Sequence, residues 1–146
     1  MVDNADMTMY ELCLMHARTD RGLRTVVAKQ LDEFKVTMME WLLLGVVVGG
    51  PEKGLSMSTV ATTLDVTLPQ VTALVTNLVK LRLVKQKTQT HDRRSRHVVA
   101  TNKGKILLGD MEQAIALAME EWLKDVPREQ LAVYLQTVKQ LAQPQS

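Results

Sequence analysis

The tetrapeptide Thr67-Leu68-Pro69-Gln70 constrains this chain more than any other stretch. Threonine at an N-cap, proline in the first turn and glutamine at the third helical position form a helix-start signature. The hydroxyl accepts from the third amide, and the glutamine side chain reaches back. Val71, Leu74, Val75 and Leu78 come next at i, i+3, i+4 and i+7, a narrow apolar stripe. The opposite face carries Gln70, Thr72, Ala73, Thr76, Asn77 and Lys80, which are small or polar. Just upstream, Ser56 caps a short helix with Val60, Ala61 and Leu64 on its inner face, and Asp65-Val66 makes the turn between the two. The pair reads as a helix-turn-helix whose second helix suits entry into a DNA major groove. A solvated polar face is the competing reading, since every amphipathic helix has one.

The residues just beyond the helix pair favour the groove. Val84 to Gln89 alternates valine, lysine and glutamine as a two-faced strand would, with His97 to Ala100 as its partner. Between them Thr90 to Arg96 forms a polar tip carrying Arg93, Arg94 and Arg96. An arginine-tipped β-turn reaches a phosphate backbone or a minor groove. The net charge of +2 hides a segregation. From Lys80 to Lys105 nine Lys/Arg face a single acid, Asp92, a balance of +8, while the remaining nine bases face fifteen acids. That concentration predicts a polyanion-binding face on an acidic body.

The rest of the chain reads as helix. Leu23, Val27 and Leu31 recur at four-residue spacing in a helical pattern from about Met7 to Phe34. Thr37-Met38-Met39-Glu40 is a capping box opening an apolar helix that runs through Val48 and is stopped by Gly49-Gly50-Pro51. The glycines of that stop lack the Gly-Lys-Ser/Thr ending of a phosphate loop, so a plain turn is expected. Thr101 caps a long helix to about Leu123, and Pro127 falls in the first turn of a last helix. There Leu131, Leu135, Val138 and Leu141 form a stripe that a lone terminal helix could not hide.

Several classes are set aside. A single cysteine excludes an internal disulfide framework and fits a reducing compartment. Asp3 and Asp6 replace the basic start of a signal peptide, and the uncharged run Trp41 to Pro51 is too short to span a bilayer, so a soluble cytoplasmic protein is expected, without a membrane partner. His16, His91 and His97 are scattered without metal-ligand spacing, and no nucleophile–base pair or cofactor motif is present, so neither a metal, a cofactor nor catalysis is expected.

Taken with its order of helices and wing, the chain resembles the MarR family of bacterial transcriptional regulators. Asp92-Arg93-Arg94-Ser95, then Val98, Thr101 and Gly104, match the family's wing pattern D-R-R-S-x-x-V-x-L-T-x-x-G, with Ala100 in place of leucine. Thr37 to Leu44 is similar to L-T-x-x-Q-W-x-L-L with Glu40 for glutamine, and Val60-Ala61-Thr62-Thr63-Leu64 to L-A-x-x-L. Asp65 and Arg82 stand where the family often has glycine, and Ala73 where it often has arginine. An arginine-free recognition helix lacks the usual bidentate guanine contact, so wing arginines, phosphate contacts and DNA shape should carry more of the binding.

The resemblance implies a mostly α fold: a winged helix-turn-helix with a two-stranded β wing and N- and C-terminal dimerisation helices. It implies one domain over residues 1–146, with a DNA-binding lobe at 35–100 and dimerisation helices at 1–34 and 101–146. The expected function is a ligand-responsive repressor that binds a pseudo-palindromic operator in double-stranded DNA as a homodimer. Gln70, Thr72, Ala73, Thr76, Asn77, Lys80, Arg93, Arg94, Ser95 and Arg96 are its expected DNA contacts. In the family the second arginine of the wing pair, here Arg94, is usually the groove residue, and Asp92 would hold the wing in shape. Relatives take small aromatic or phenolic ligands between the dimerisation helices and the DNA-binding lobe, which makes His16, Met39 and Trp41 candidate pocket residues, or else ordinary core. Cys13 stands near the start of the first helix, as a peroxide-sensing cysteine does in one branch of the family. It reads either as such a redox sensor or as a small buried hydrophobe. A winged helix that binds a protein rather than DNA is the rival reading, and the local basic balance weighs against it.

Overall fold

Every helix start that could be read from a capping residue is made in the structure, a computed structural model that describes residues 6–89 and 92–143. Helix α1 (Met9–Leu31) opens on a Thr8/Glu11 capping box and runs into a single 3₁₀ turn, Asp32–Phe34. Accepting hydrogen bonds from the backbone N–H and the hydroxyl of Thr8 holds the Glu11 carboxyl below the usual carboxylate range. Helix α2 (Met38–Val48) starts at the Thr37/Glu40 box. A two-residue strand β1 (Leu55–Ser56) leads directly into α3 (Met57–Leu64), and α4 (Leu68–Lys80) starts from the Thr67/Gln70 box. Strands β2 (Val84–Gln89) and β3 (Asp92–Ala100) precede the long α5 (Asn102–Trp122) and the last helix α6 (Arg128–Leu141). Pro127 is the N-cap of α6 rather than part of its first turn. No helix among the described residues is long and apolar enough to cross a membrane.

The sheet departs from expectation in two ways. It has three strands, in the order β1-β3-β2 and antiparallel throughout, because Leu55 pairs with Val98 and Ser56 with His97. Two residues carry no periodicity of their own, so only the pairing reveals β1. Gly54 permits that pairing: at φ +89° a side chain there would stand 2.5 Å from the Val98 carbonyl oxygen. Strand β3 is also longer than the four residues predicted, reaching Asp92, so Arg93, Arg94, Ser95 and Arg96 lie on a strand instead of a turn. Arg96 faces Thr88, and the register shifts between Thr88 and Gln89, which pairs with Asp92. Polar tip residues hide such a ladder from any propensity argument, since cross-strand pairing alone defines it. Thr90 and His91, expected at the tip, fall outside the described residues, as do the side chains of Gln89 and Asp92–Ser95.

The core lies where α2, α3, α4 and the sheet meet the end of α1 and the middle of α5. Leu43, Leu44, Val60, Val71, Val75, Leu78, Leu83, Val84 and Val98 are fully or almost fully buried there. From α1, Val27 and Leu31 are buried in it and Leu23 packs against it; from α5, Gly104, Met111 and Ile115 are buried, with Leu107, Leu108 and Met119 packed beside them. No residue of α6 is buried.

One junction closes this core. The Thr101 backbone N–H donates to the Leu83 carbonyl at 3.0 Å, and its hydroxyl to the Arg82 carbonyl at 2.7 Å and that of Leu83 at 3.1 Å. The same hydroxyl oxygen accepts from the Gly104 N–H at 3.0 Å. A Cβ on Gly104 would sit 2.1 Å from the Leu83 carbonyl oxygen. The threonine and glycine of T-x-x-G are thus two halves of one contact between helix and wing. Gly104→Ala is expected to cost about 3 kcal/mol, the upper part of the range for forced overpacking. A thermal melt would read this as a fall in Tm of roughly 10 °C.

Candidate nucleic-acid interface

The turn between α3 and α4 is set by backbone conformation. Asp65 takes the left-handed region at φ 55°, and Arg82, just beyond α4, does so at φ 62°. Like Lys35 after the 3₁₀ turn, at φ 56°, they stand where glycine would be the easy choice, since a β-carbon makes that region costly. After Asp65 the Thr67 hydroxyl accepts from the Gln70 N–H at 3.4 Å, while Gln70 Oε1 accepts from the Thr67 N–H at 2.9 Å. Helix α4 then buries Val71, Val75 and Leu78 completely and turns Leu68, Gln70, Thr72, Ala73, Thr76, Asn77 and Lys80 outward.

This outward face has a definite hydrogen-bonding character. Thr72 donates its hydroxyl to the Leu68 carbonyl at 3.0 Å, and Thr76 to that of Thr72 at 2.8 Å. Their protons are spent on the helix, so both oxygens face outward as acceptors. Gln70 Oε1 is taken by the cap, leaving its NH₂ group as a donor. Asn77 Nδ2 donates at 3.3 Å to Glu40 Oε1 on α2, leaving its carbonyl oxygen. Leu68, half exposed at the start of the helix, and Ala73 add two apolar points. Acceptors of this kind match the amino groups of adenine and cytosine, and small apolar groups match the thymine methyl.

Around it stands the basic cluster. Lys85 and Lys87 are exposed on one face of β2, opposite Val99 and His97, with Lys80 at the end of α4 and Arg96 on β3 also exposed. Lys103 instead donates to the Leu81 carbonyl at 3.1 Å, capping the end of α4, and is part of the scaffold. The backbones of Arg93, Arg94 and Ser95 continue β3 beyond Arg96.

The other candidate residues are dispersed. Cys13 and His16 are exposed on α1, so a buried hydrophobe is the wrong picture of Cys13 in this protomer. Met39 and Trp41 are half-buried on α2, and Trp41 Nε1 donates to Glu112 Oε1 on α5 at 3.0 Å. A cavity of about 250 Å³ lies elsewhere, among Val47, Pro51, Glu52, Val99 and Lys105, and includes none of His16, Met39 and Trp41. Among the described residues no group of three or more His, Cys, Asp or Glu could hold a metal ion. Two interactions escaped the sequence reading: the contact of Glu40, read only as a cap, with Asn77, and that of Glu112 with Trp41. They span 37 and 71 residues of chain, and no local pattern announces them.

A family model described as the MarR family matches residues 34–95, from the 3₁₀ turn to the wing. Similar solved structures agree over almost the whole chain. A MarR-family transcriptional regulator from Rhodococcus sp. RHA1 is 20% identical with a TM-score of 0.86, covering 96% of this chain and 98% of that one. CouR from Rhodococcus jostii RHA1, solved bound to p-coumaroyl-CoA, is 21% identical with a TM-score of 0.81, covering 93% and 94%. MepR from S. aureus, solved as a DNA complex, is 18% identical with a TM-score of 0.76, covering 93% and 97%. At these identities the likeness is one of fold. The cap that starts α4 is the local device on which the outward face depends. Thr67→Ala is expected to destabilise the protein by about 1 kcal/mol, measurable as a lower midpoint in urea at an unchanged slope.

Proposed function

We propose, from the premise that this chain belongs to the MarR family of transcriptional regulators, that it is a DNA-binding repressor released from its operator by a small ligand. Members of that family are transcription regulators, not enzymes. The observation that carries the reading is the union of the outward face of α4 with the exposed cations Lys80, Lys85, Lys87 and Arg96, on a chain whose other parts are acidic. Two protomers would set two such faces on one side of a duplex, with half-sites about 10 base pairs apart. Supporting the homodimer, α6 exposes Val133, Tyr134, Leu135, Val138 and Leu141, and α1 exposes Met9, Tyr10, Leu12, Leu14 and Met15. A helix so open gains nothing from its apolar stripe until another surface covers it.

The ligand is proposed as a small aromatic or phenolic compound or its thioester, a class to which the p-coumaroyl-CoA held by CouR belongs. It would act by changing the spacing of the two lobes so that both half-sites are no longer engaged. Binding should be dominated by phosphate charge, because Ala73 removes the usual arginine from the recognition helix.

Fluorescence anisotropy on random duplex DNA should give a log–log salt slope of about −4 or steeper, the signature of four to five neutralised phosphates. No binding even at low salt would overturn the reading in favour of a protein-interaction module. Arg94→Ala should lose about 1–3 kcal/mol of affinity, the scale of one good groove contact. Native mass spectrometry should return twice the 16.4 kDa chain mass.

A further inference from the structure

Glu40 is the single charged residue among the buried ones described, 5% exposed in a core otherwise made of aliphatic side chains. A carboxylate in such a place is costly unless its oxygens find donors. One oxygen accepts from the Thr37 N–H at 3.3 Å, completing the cap of α2. The other accepts from Asn77 Nδ2, also at 3.3 Å, and Asn77 lies on α4, whose outer face is the candidate DNA surface. Capping needs only an exposed acid or amide at this position. Burying the carboxylate against α4 needs a further reason, and the contact with Asn77 supplies it.

The next residue extends the connection. Trp41 Nε1 donates to Glu112 on α5, immediately after Met111, which is fully buried in the core. Consecutive residues in the first turn of α2 therefore grip two helices, the recognition helix through Glu40 and the long C-terminal helix through Trp41. Asn77 is held at the far end of α4, where its own carbonyl accepts from the Leu81 N–H and closes the helix. Fixing that point fixes how α4 is rotated about its axis against α2, and hence which of Thr72, Ala73 and Thr76 point into a groove.

We infer that Glu40 is a positioning residue for DNA binding: through Asn77 it sets the rotation of the recognition helix, and through the adjoining Trp41–Glu112 bond it links that rotation to α5. Asn77 then serves the interface as a strut through its Nδ2 group, whatever contact its carbonyl oxygen makes. The inference rests on the DNA-binding reading given above, and names how that same surface is held.

The test is a double-mutant cycle on affinity for a duplex selected by the wild-type protein from a random-sequence pool. Glu40→Ala and Asn77→Ala should each weaken binding by about tenfold, and the double variant by no more than about twofold beyond the worse single one, as coupled neighbours do. Glu40→Gln keeps a carbonyl oxygen for the Thr37 N–H and turns an NH₂ group toward Asn77, whose amide can flip to accept from it, so this variant should bind within about threefold of wild type. The salt slope should stay constant across the set, because no phosphate contact is removed. Should Glu40→Ala not fold, the cycle is run with Glu40→Met, which keeps the volume but removes the acceptors, and Asn77→Ala, where the same non-additivity is expected. Losses that multiply to about a hundredfold would show that Asn77 acts independently of Glu40 and would overturn the inference. A wild type that selects and binds no duplex would refute the DNA-binding reading instead, so the two failures are distinguishable.

Discussion

The contact on which the rest of this molecule depends is the seating of Thr101 and Gly104 on the backbone of Leu83. Leu83 is itself tied to the end of α4, since its N–H donates to the Leu78 carbonyl at 3.0 Å. It also begins the wing, because Val84 next to it pairs with Ala100 at the root of the sheet. Helix α4, the wing and α5 therefore converge on one peptide unit. Its carbonyl takes two donors from Thr101, and Gly104 lets the first turn of α5 press against it without a side chain between. Placed this way, α5 leaves the lobe at a fixed angle, and whatever moves α5 must act on α4 and the wing together.

Local chemistry accounts for what could be read from the chain. Thr37, Ser56, Thr67 and Thr101 all cap the helices they were expected to cap, because a cap is decided within four residues. The apolar stripe of α4 was equally legible, as Val71, Val75 and Leu78 line one face of a helix and all three are buried. What escaped is non-local. Strand β1 exists only because Leu55 finds Val98, and the extent of β3 only because Arg96 finds Thr88. Asn77 looked like a member of a polar face, and nothing in its neighbourhood along the chain announces a carboxylate on another helix. Asp65 and Arg82 were flagged by the glycines expected there, and both adopt the left-handed backbone that glycine would take.

The outward face of α4 is narrower in its chemistry than its composition suggests. Counting side chains gives two threonines, a glutamine and an asparagine, all able in principle to donate and accept. The hydrogen bonds subtract from that list until mostly acceptors remain on the threonines and a single donor group on Gln70. In the proposed DNA complex, affinity would come from the surrounding cations, and discrimination from a few acceptors, methyl groups and the shape of the duplex.

Helix α6 has a consequence for how the molecule is built up in time. It is 14 residues, about 21 Å long, which is near the lower limit at which an isolated helix holds together in water. It has no buried residue of its own, so in the proposed homodimer its helicity would be supplied by the partner surface laid over Val133, Leu135, Val138 and Leu141. Backbone amides in α6 would thus gauge that proposed assembly. Their protection from exchange with solvent reports how completely that stripe is covered, while the amides of α4, packed on the protomer's own core, report only the fold of the lobe.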